Sequence, residues 1–124
     1  MEQQRKLIFF KTYFKDFVNS LPNRVQEKIE YVLFTVTVAT LIPSKFFEHL
    51  SGTDGLYEIR VEFESNIYRI FCCFDEGNLI VLFNGFQKKS QKTLYSEIDK
   101  ALKIKHEYFR LKNKGERYAS FKRL

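Results

Sequence analysis

A chain of 124 residues, 44% hydrophobic and 17% aromatic, carries enough apolar side chains to bury one core without metal or disulfide staples, which excludes a disordered chain and makes one domain the default. No charge-free run approaches the ~20 apolar residues of a membrane-spanning helix, and the four apolar residues after Lys6 are too few for a signal-peptide core, so the expectation is a cytoplasmic protein with no membrane role. The net charge of +6 is localised: residues 1–102 carry 13 basic and 13 acidic side chains, so the excess falls in 103–124, where it attracts polyanions or an acidic protein partner.

Arg5 to Phe10 reads as a first short strand, and Tyr13, Phe14, Phe17 and Val18 follow at the spacing of a helix face. Pro22 suits the first turn of a second helix with Val25, Ile29, Val32, Leu33 and Val36 on one stripe, ending before Pro43. Its end, Thr35 to Thr40, is mostly β-branched, so a strand there is an alternative. Lys45 to Gly55 has turn chemistry. Leu56 to Glu64 then alternates, with Tyr57, Ile59, Val61 and Phe63 on a buried face and Glu58, Arg60, Glu62 and Glu64 on a wet one. Ile67 to Phe74 and Leu79 to Asn84 are two more strands, joined by a tight turn at Asp75-Glu76-Gly77-Asn78. Adjacent Cys72 and Cys73 point to opposite faces as ordinary buried residues, with no second cysteine pair to complete a zinc site. Thr93 is the expected cap of a last helix with Leu94, Ile98, Ala101 and Leu102 as its stripe. The expected architecture is a single α+β domain over 1–112, of order β-α-α-β-β-β-α, with an antiparallel meander and the helices packed on one face, followed by a basic tail over 113–124.

No Gly-rich phosphate loop, Ser-His-Asp pattern or His/Cys metal spacing is present, and His49 and His106 stand far apart, which points away from zinc and P-loop enzymes and towards chemistry without a metal or cofactor. Hairpin geometry is more informative. With Ser65-Asn66 as a two-residue turn, Glu62 pairs with Arg69 and Arg60 with Phe71, setting Arg60 and Arg69 diagonally on one face. With Glu76-Gly77 as the next turn, Arg69 faces Asn84, and alternation carries Phe86 and Lys88 along that side unless Gly85 breaks the register. Cleavage of RNA through the ribose 2′-hydroxyl needs a base, an acid and positive donors around phosphorus. The planar, permanently charged forks of Arg60 and Arg69 suit the last role. A lysine among other cations, such as Lys88 beside Lys89, can act as base or acid, and Glu58 is a rival base. Phe86, Tyr57 or Tyr95 can stack on a base, with Lys92 as a further RNA contact. The competing reading of Arg60 and Arg69 is a cross-strand ion network with Glu58 and Glu62.

The stretches Gly55-Leu56-Tyr57-Glu58-Ile59-Arg60, Asn66-Ile67-Tyr68-Arg69-Ile70-Phe71 and Asn84-Gly85-Phe86-Gln87-Lys88-Lys89-Ser90-Gln91-Lys92-Thr93 resemble, in order and spacing, the phage-derived HigB-like branch of the RelE toxin superfamily. The resemblance runs from about Leu7 to Lys105. It implies a microbial-ribonuclease-like fold, an endoribonuclease acting on messenger RNA in the ribosome, and a HigA-like helix-turn-helix antitoxin as cognate partner. By position, Arg60 and Arg69 look like the family's phosphate-binding cations, and Lys88 and Lys89 like its basic group at the end of the last strand. Two features depart from the pattern: Glu58 stands where some members are basic, and Phe83 to Thr93 lacks the His or Tyr of some relatives, which leaves the general acid unassigned with Tyr95 as one candidate. The basic tail would serve ribosomal RNA, the antitoxin or neither. Two other readings compete with the nuclease: a ParE-like inhibitor that binds DNA gyrase without catalysis, and a degenerate member that only binds RNA or antitoxin.

Overall fold

The apolar periodicities become five strands and three helices in a computed structural model, which describes residues 2–114. They run in the order β1 (Lys6–Phe9), α1 (Tyr13–Asn19), α2 (Asn23–Val38), β2 (Phe47–His49), β3 (Tyr57–Phe63), β4 (Asn66–Asp75), β5 (Leu79–Gln87) and α3 (Gln91–Lys112). Of the expected basic tail, all but Asn113 and Lys114 lies outside the described residues.

The α+β class and the β3-β4-β5 antiparallel meander are as the alternation predicts. The five-stranded sheet has the order β1-β5-β4-β3-β2, with β1 parallel to β5 and the remaining pairs antiparallel. One strand escapes the sequence reading. β2 is only three residues long and sits inside the segment read as a turn, where it pairs with the edge of β3. At Thr35 to Thr40 the helix prevails over the strand through Val38, because Thr35 and Thr37 turn their hydroxyls onto the carbonyls of Tyr31 and Phe34 at 3.1 and 2.7 Å. The α2 C-terminus is then closed by Arg5, whose guanidinium donates to the carbonyls of Val36, Ala39 and Thr40, putting a cation where the helix dipole is negative.

The expected packing of all helices on one face is not what forms. α1 and α2 cover one face, where Phe14, Val18, Ile29, Val32, Leu33 and Val36 meet Ile59, Val61, Ile70, Cys72, Ile80 and Leu82. α3 covers the other, where Ala101, Ile104 and Tyr108 meet Phe71, Cys73, Val81, Phe83 and Phe86. The reason lies in β4 and β5, whose runs Ile70-Phe71-Cys72-Cys73 and Ile80-Val81-Leu82-Phe83 are buried at every position and therefore need cover on both sides. At about 1.5–3 kcal/mol for each large apolar side chain fully buried, leaving the second face bare would forfeit much of the hydrophobic stabilisation. Cys72 and Cys73 do point to opposite faces, one into each core. Burial raises the Cys72 thiol pKa and pushes that of Cys73 up to about 12.

The cap of α3 also differs from expectation. Ser90, not Thr93, is the N-cap, its hydroxyl accepting from the Thr93 N–H at 3.1 Å. The helix lengthens accordingly and runs on through the start of the basic segment, so its buried stripe is Ala101, Ile104 and Tyr108, while Leu102 lies on the exposed flank. No helix among the described residues is long and apolar enough to cross a membrane.

Candidate functional site

Both hairpin turns differ by one residue from those expected, and the register follows. The first turn is Glu64-Ser65, both residues at positive φ (49° and 68°), so Arg60 stands directly opposite Arg69 rather than diagonal to it. Because pairing moved by two positions, the face is preserved: Glu58, Arg60, Glu62 and Arg69 share the side that α3 covers in part. In the second hairpin Asp75 pairs with Leu79 around Glu76-Gly77-Asn78, which alone would set Arg69 opposite Gly85. A bulge corrects the phase. Cys72 pairs with Leu82 but Ile70 pairs with Gly85, so Phe71 faces both Phe83 and Asn84, and Arg69 comes to face Phe86 instead of the expected Asn84.

The bulge is held from both sides of the sheet. Asn84 is buried, and its Nδ2 donates to the carbonyl and the Oε1 of Glu97 in α3 at 3.2 and 3.0 Å. Beneath it Gly85 lies so close to α1 that a Cβ there would stand 2.3 Å from Cδ2 of Phe17, which excludes any larger residue without rearrangement. Past the bulge the Lys88 N–H still joins the ladder, donating to the Ile67 carbonyl at 2.9 Å, so alternation puts Lys88 on the site face in the row of Glu62 and Ile67.

Two arginines of like charge face each other here, and each has a carboxylate that offsets the repulsion. Arg69 Nη1 lies 2.7 Å from Glu58 Oε1, with 11% and 5% of the two side chains exposed. Arg60 Nη2 meets Glu62 Oε1 at 2.9 Å in a more open setting. The competing reading of an ion network is thus present in the fold, yet it leaves capacity over. Arg60 Nε and Arg69 Nε are buried and have no hydrogen-bond partner among the described residues. A buried N–H without an acceptor costs free energy, and two guanidinium groups set opposite one another, with more N–H donors than their two carboxylates take up, suit an anion with several acceptor oxygens.

The other expected residues divide between the site and the core. Glu58, expected on a wet face, is 4% exposed, so it holds Arg69 in place rather than lying open to an approaching ligand. Phe86 is 7% exposed with its ring tilted on Phe71 at 5.4 Å, which leaves it no open face for stacking on a base and makes it the packing beneath Arg69. Tyr57 is stacked on Phe47 at 5.1 Å on the α1–α2 side. Lys88 is half-buried, while Lys89, Lys92 and Tyr95 are exposed around the start of α3. His49 ends β2 against Tyr57, and His106 is exposed on α3; neither meets the arginines. Sequence reasoning missed Lys45 and Glu48, which border a cleft of about 320 Å³ beside Arg60. The alternation of Phe47-Glu48-His49 was the one available signal, and three residues are too few to read. Among the described residues no cluster of His, Cys, Asp or Glu could hold a metal ion.

Residues 16–106 match the family described as Phage derived protein Gp49-like (DUF891). The chain belongs to that family. Gp49-like domains are RelE/HigB-like toxins, and the matched span contains both arginines, the bulge and the first four turns of α3. In three dimensions this Gp49-like chain is similar to the RelE toxin in the crystal structure of a RelB-RelE antitoxin-toxin complex from Methanococcus jannaschii, with 16% identity, a TM-score of 0.50, and coverage of 71% of this chain and 94% of that one. At that identity the likeness establishes the shared RelE-like fold. No curated protein matches the sequence.

Proposed function

We propose that this Gp49-like protein is the toxin of a toxin–antitoxin pair and acts as a metal-independent endoribonuclease on messenger RNA, with translating ribosomes as the setting and a HigA-like helix-turn-helix protein as its antitoxin. The observation that carries the reading is the pair Arg60 and Arg69, opposed across β3 and β4 on one face of the sheet and each held by a carboxylate. In the proposed reaction the 2′-oxygen attacks phosphorus, the bond to the 5′-oxygen breaks, one proton leaves the 2′-hydroxyl and one joins the departing 5′-oxygen. Negative charge grows on the equatorial oxygens, and two preorganised guanidinium groups in a partly desolvated site stabilise that charge more than they stabilise the ground state.

Glu58 acts through Arg69, fixing its orientation by the 2.7 Å ion pair. In this reading Lys88, on the site face, takes part in proton transfer, while Lys89, Lys92 and Tyr95, exposed around the start of α3, grip the strand. In this reading 1–112 form the working domain, and 113–124 add positive charge for RNA or antitoxin.

Induced expression in growing bacteria tests this directly, with growth followed and new 5′ ends mapped on cellular transcripts. Wild type should arrest growth and create fresh ends, and soluble Arg60→Ala should do neither, through a rate loss of about a hundred- to a thousandfold. Arrest without new ends would replace the nuclease with an inhibitor that acts by binding, such as a ParE-like gyrase inhibitor. No arrest from folded wild type would leave a degenerate, binding-only member.

A further inference from the structure

The one Asn-Gly step in the chain is Asn84-Gly85, and packing dictates both of its members. Asn84 supplies an amide whose Nδ2 donates to the carbonyl and the carboxylate of Glu97 at 3.2 and 3.0 Å. Gly85 supplies the absence of a side chain, since a Cβ there would stand 2.3 Å from Cδ2 of Phe17. The bulge therefore joins the two residue types most prone to cyclise. The side-chain carbonyl carbon of an asparagine is open to attack by the next backbone nitrogen, and a glycine at that next position leaves the five-membered ring unhindered.

What opposes the reaction is the fold. Asn84 is 2% exposed beneath α3. Nδ2, the nitrogen that would leave, is the atom that Glu97 holds at two points, and Gly85 is paired with Ile70 in the β4–β5 ladder. Closing the ring requires the amide to leave Glu97 and the strand to bend at Asn84, and neither occurs while α3 is docked on β5.

We propose that Asn84 is a site of spontaneous deamidation, closed in the folded protein and opened by any unfolding that lifts α3, and that the reaction disables the protein irreversibly. The Gly85 nitrogen bonds to Asn84 Cγ, the Cγ–Nδ2 bond breaks, and ammonia leaves with the proton of the Gly85 amide. Water then opens the succinimide at either carbonyl, giving aspartate or isoaspartate. Aspartate turns acceptor oxygens towards the carbonyl and carboxylate of Glu97 in a buried setting. Isoaspartate adds a carbon to the main chain at the bulge that sets the phase of Phe86 and Lys88. A chain that has unfolded and aged cannot rebuild the site face. Only the loss of toxicity rests on the nuclease reading; the chemistry and the loss of the fold do not.

Peptide mass spectrometry would follow each asparagine of the intact chain at mildly alkaline pH, folded in buffer or unfolded in guanidinium chloride. In denaturant Asn84 should be lost faster than Asn66 and Asn78, which precede the bulky Ile67 and Leu79. In the folded protein its loss should be at least about a hundredfold slower, because the rate follows the population of open chains. Ile104→Ala, which loosens the buried face of α3 away from Asn84 and Glu97, should raise the folded-state rate about tenfold or more. Equal rates in the two states, an Asn84 no faster than Asn66 and Asn78 in denaturant, or a folded-state rate unmoved by Ile104→Ala would overturn the assignment. For the consequence, protein aged in denaturant and then refolded should melt several degrees lower than fresh protein and should no longer inhibit cell-free translation. Protein held in denaturant at mildly acidic pH, where too little hydroxide is present to strip the Gly85 amide proton, should refold like fresh protein. An aged protein with the melting point and inhibition of the fresh one would overturn the irreversible loss. Absence of inhibition from fresh protein, with Asn84 lost and the melting point lowered as expected, would sink the nuclease reading and keep the modification.

Discussion

Arg60 and Arg69 carry the same charge on the same face, yet their substitutions should behave differently because their surroundings differ. Arg69 is nearly buried against an equally buried Glu58, so Arg69→Ala strands a carboxylate and should lower the unfolding free energy by about 3–5 kcal/mol. Arg60 is more open and its pair with Glu62 is solvated, so Arg60→Ala should cost about 1 kcal/mol or less while removing as much activity. Urea denaturation of the two variants separates these outcomes; equal losses of stability would show that Glu58 is not relying on Arg69. A second ionic contact gives a pH signature. Lys112 donates to Asp75 and to Glu76, and these contacts, that with Asp75 first, raise its pKa above 10.5. A raised folded-state value means the stabilisation is complete below the unfolded pKa and is lost as pH climbs through the folded one. Thermal midpoints of wild type and Lys112→Met, compared across the alkaline range, should therefore converge above pH 10.5.

At the scale of elements the site depends on one extra residue in β5. Without the bulge the hairpin register would set Arg69 against Gly85, turn Phe86 into the α1–α2 core and swing Lys88 off the site face. The clamp that prevents this is Asn84 bonded to Glu97 above and Gly85 pressed on Phe17 below. Gly85→Ala should destabilise the protein by about 1–3 kcal/mol through overpacking, and Phe17→Leu in the same chain should recover part of that loss. A double-mutant cycle measures the coupling, and additive effects would mean that Phe17 is not what Gly85 accommodates. Gly85 marked in the sequence a place where the register could break, but Asn84-Gly85 reads equally well as the end of a strand. Only the pairing of Phe71 with two partners reveals it.

For the molecule as a whole, two cores share one sheet, and the adjacent cysteines report on each. Cys72 lies in the α1–α2 core and Cys73 in the α3 core, and burial keeps both as unreactive thiols. If the two layers unfold as one cooperative unit, iodoacetamide in rising urea should label both at the same midpoint, resolved by mass spectrometry of the peptides. Earlier labelling of Cys73 alone would show that α3 detaches first. The sequence by itself determined the class, the meander, the strand faces of Arg60 and Arg69, and the presence of two helices before Pro43, though not that the second holds through Thr35–Val38, because alternation and helical spacing are local properties of the chain. It also carried the family through the spacing of its Tyr-Glu-Ile-Arg, Tyr-Arg-Ile and Gly-Phe-Gln-Lys-Lys stretches. Only the tertiary structure decided that α3 covers the second face, that Arg60 stands opposite Arg69, that Phe86 is buried and that Glu48 borders the site. Each of these depends on which distant residues are brought opposite one another, and a one-residue change in a turn or a bulge alters that pairing without altering any local pattern.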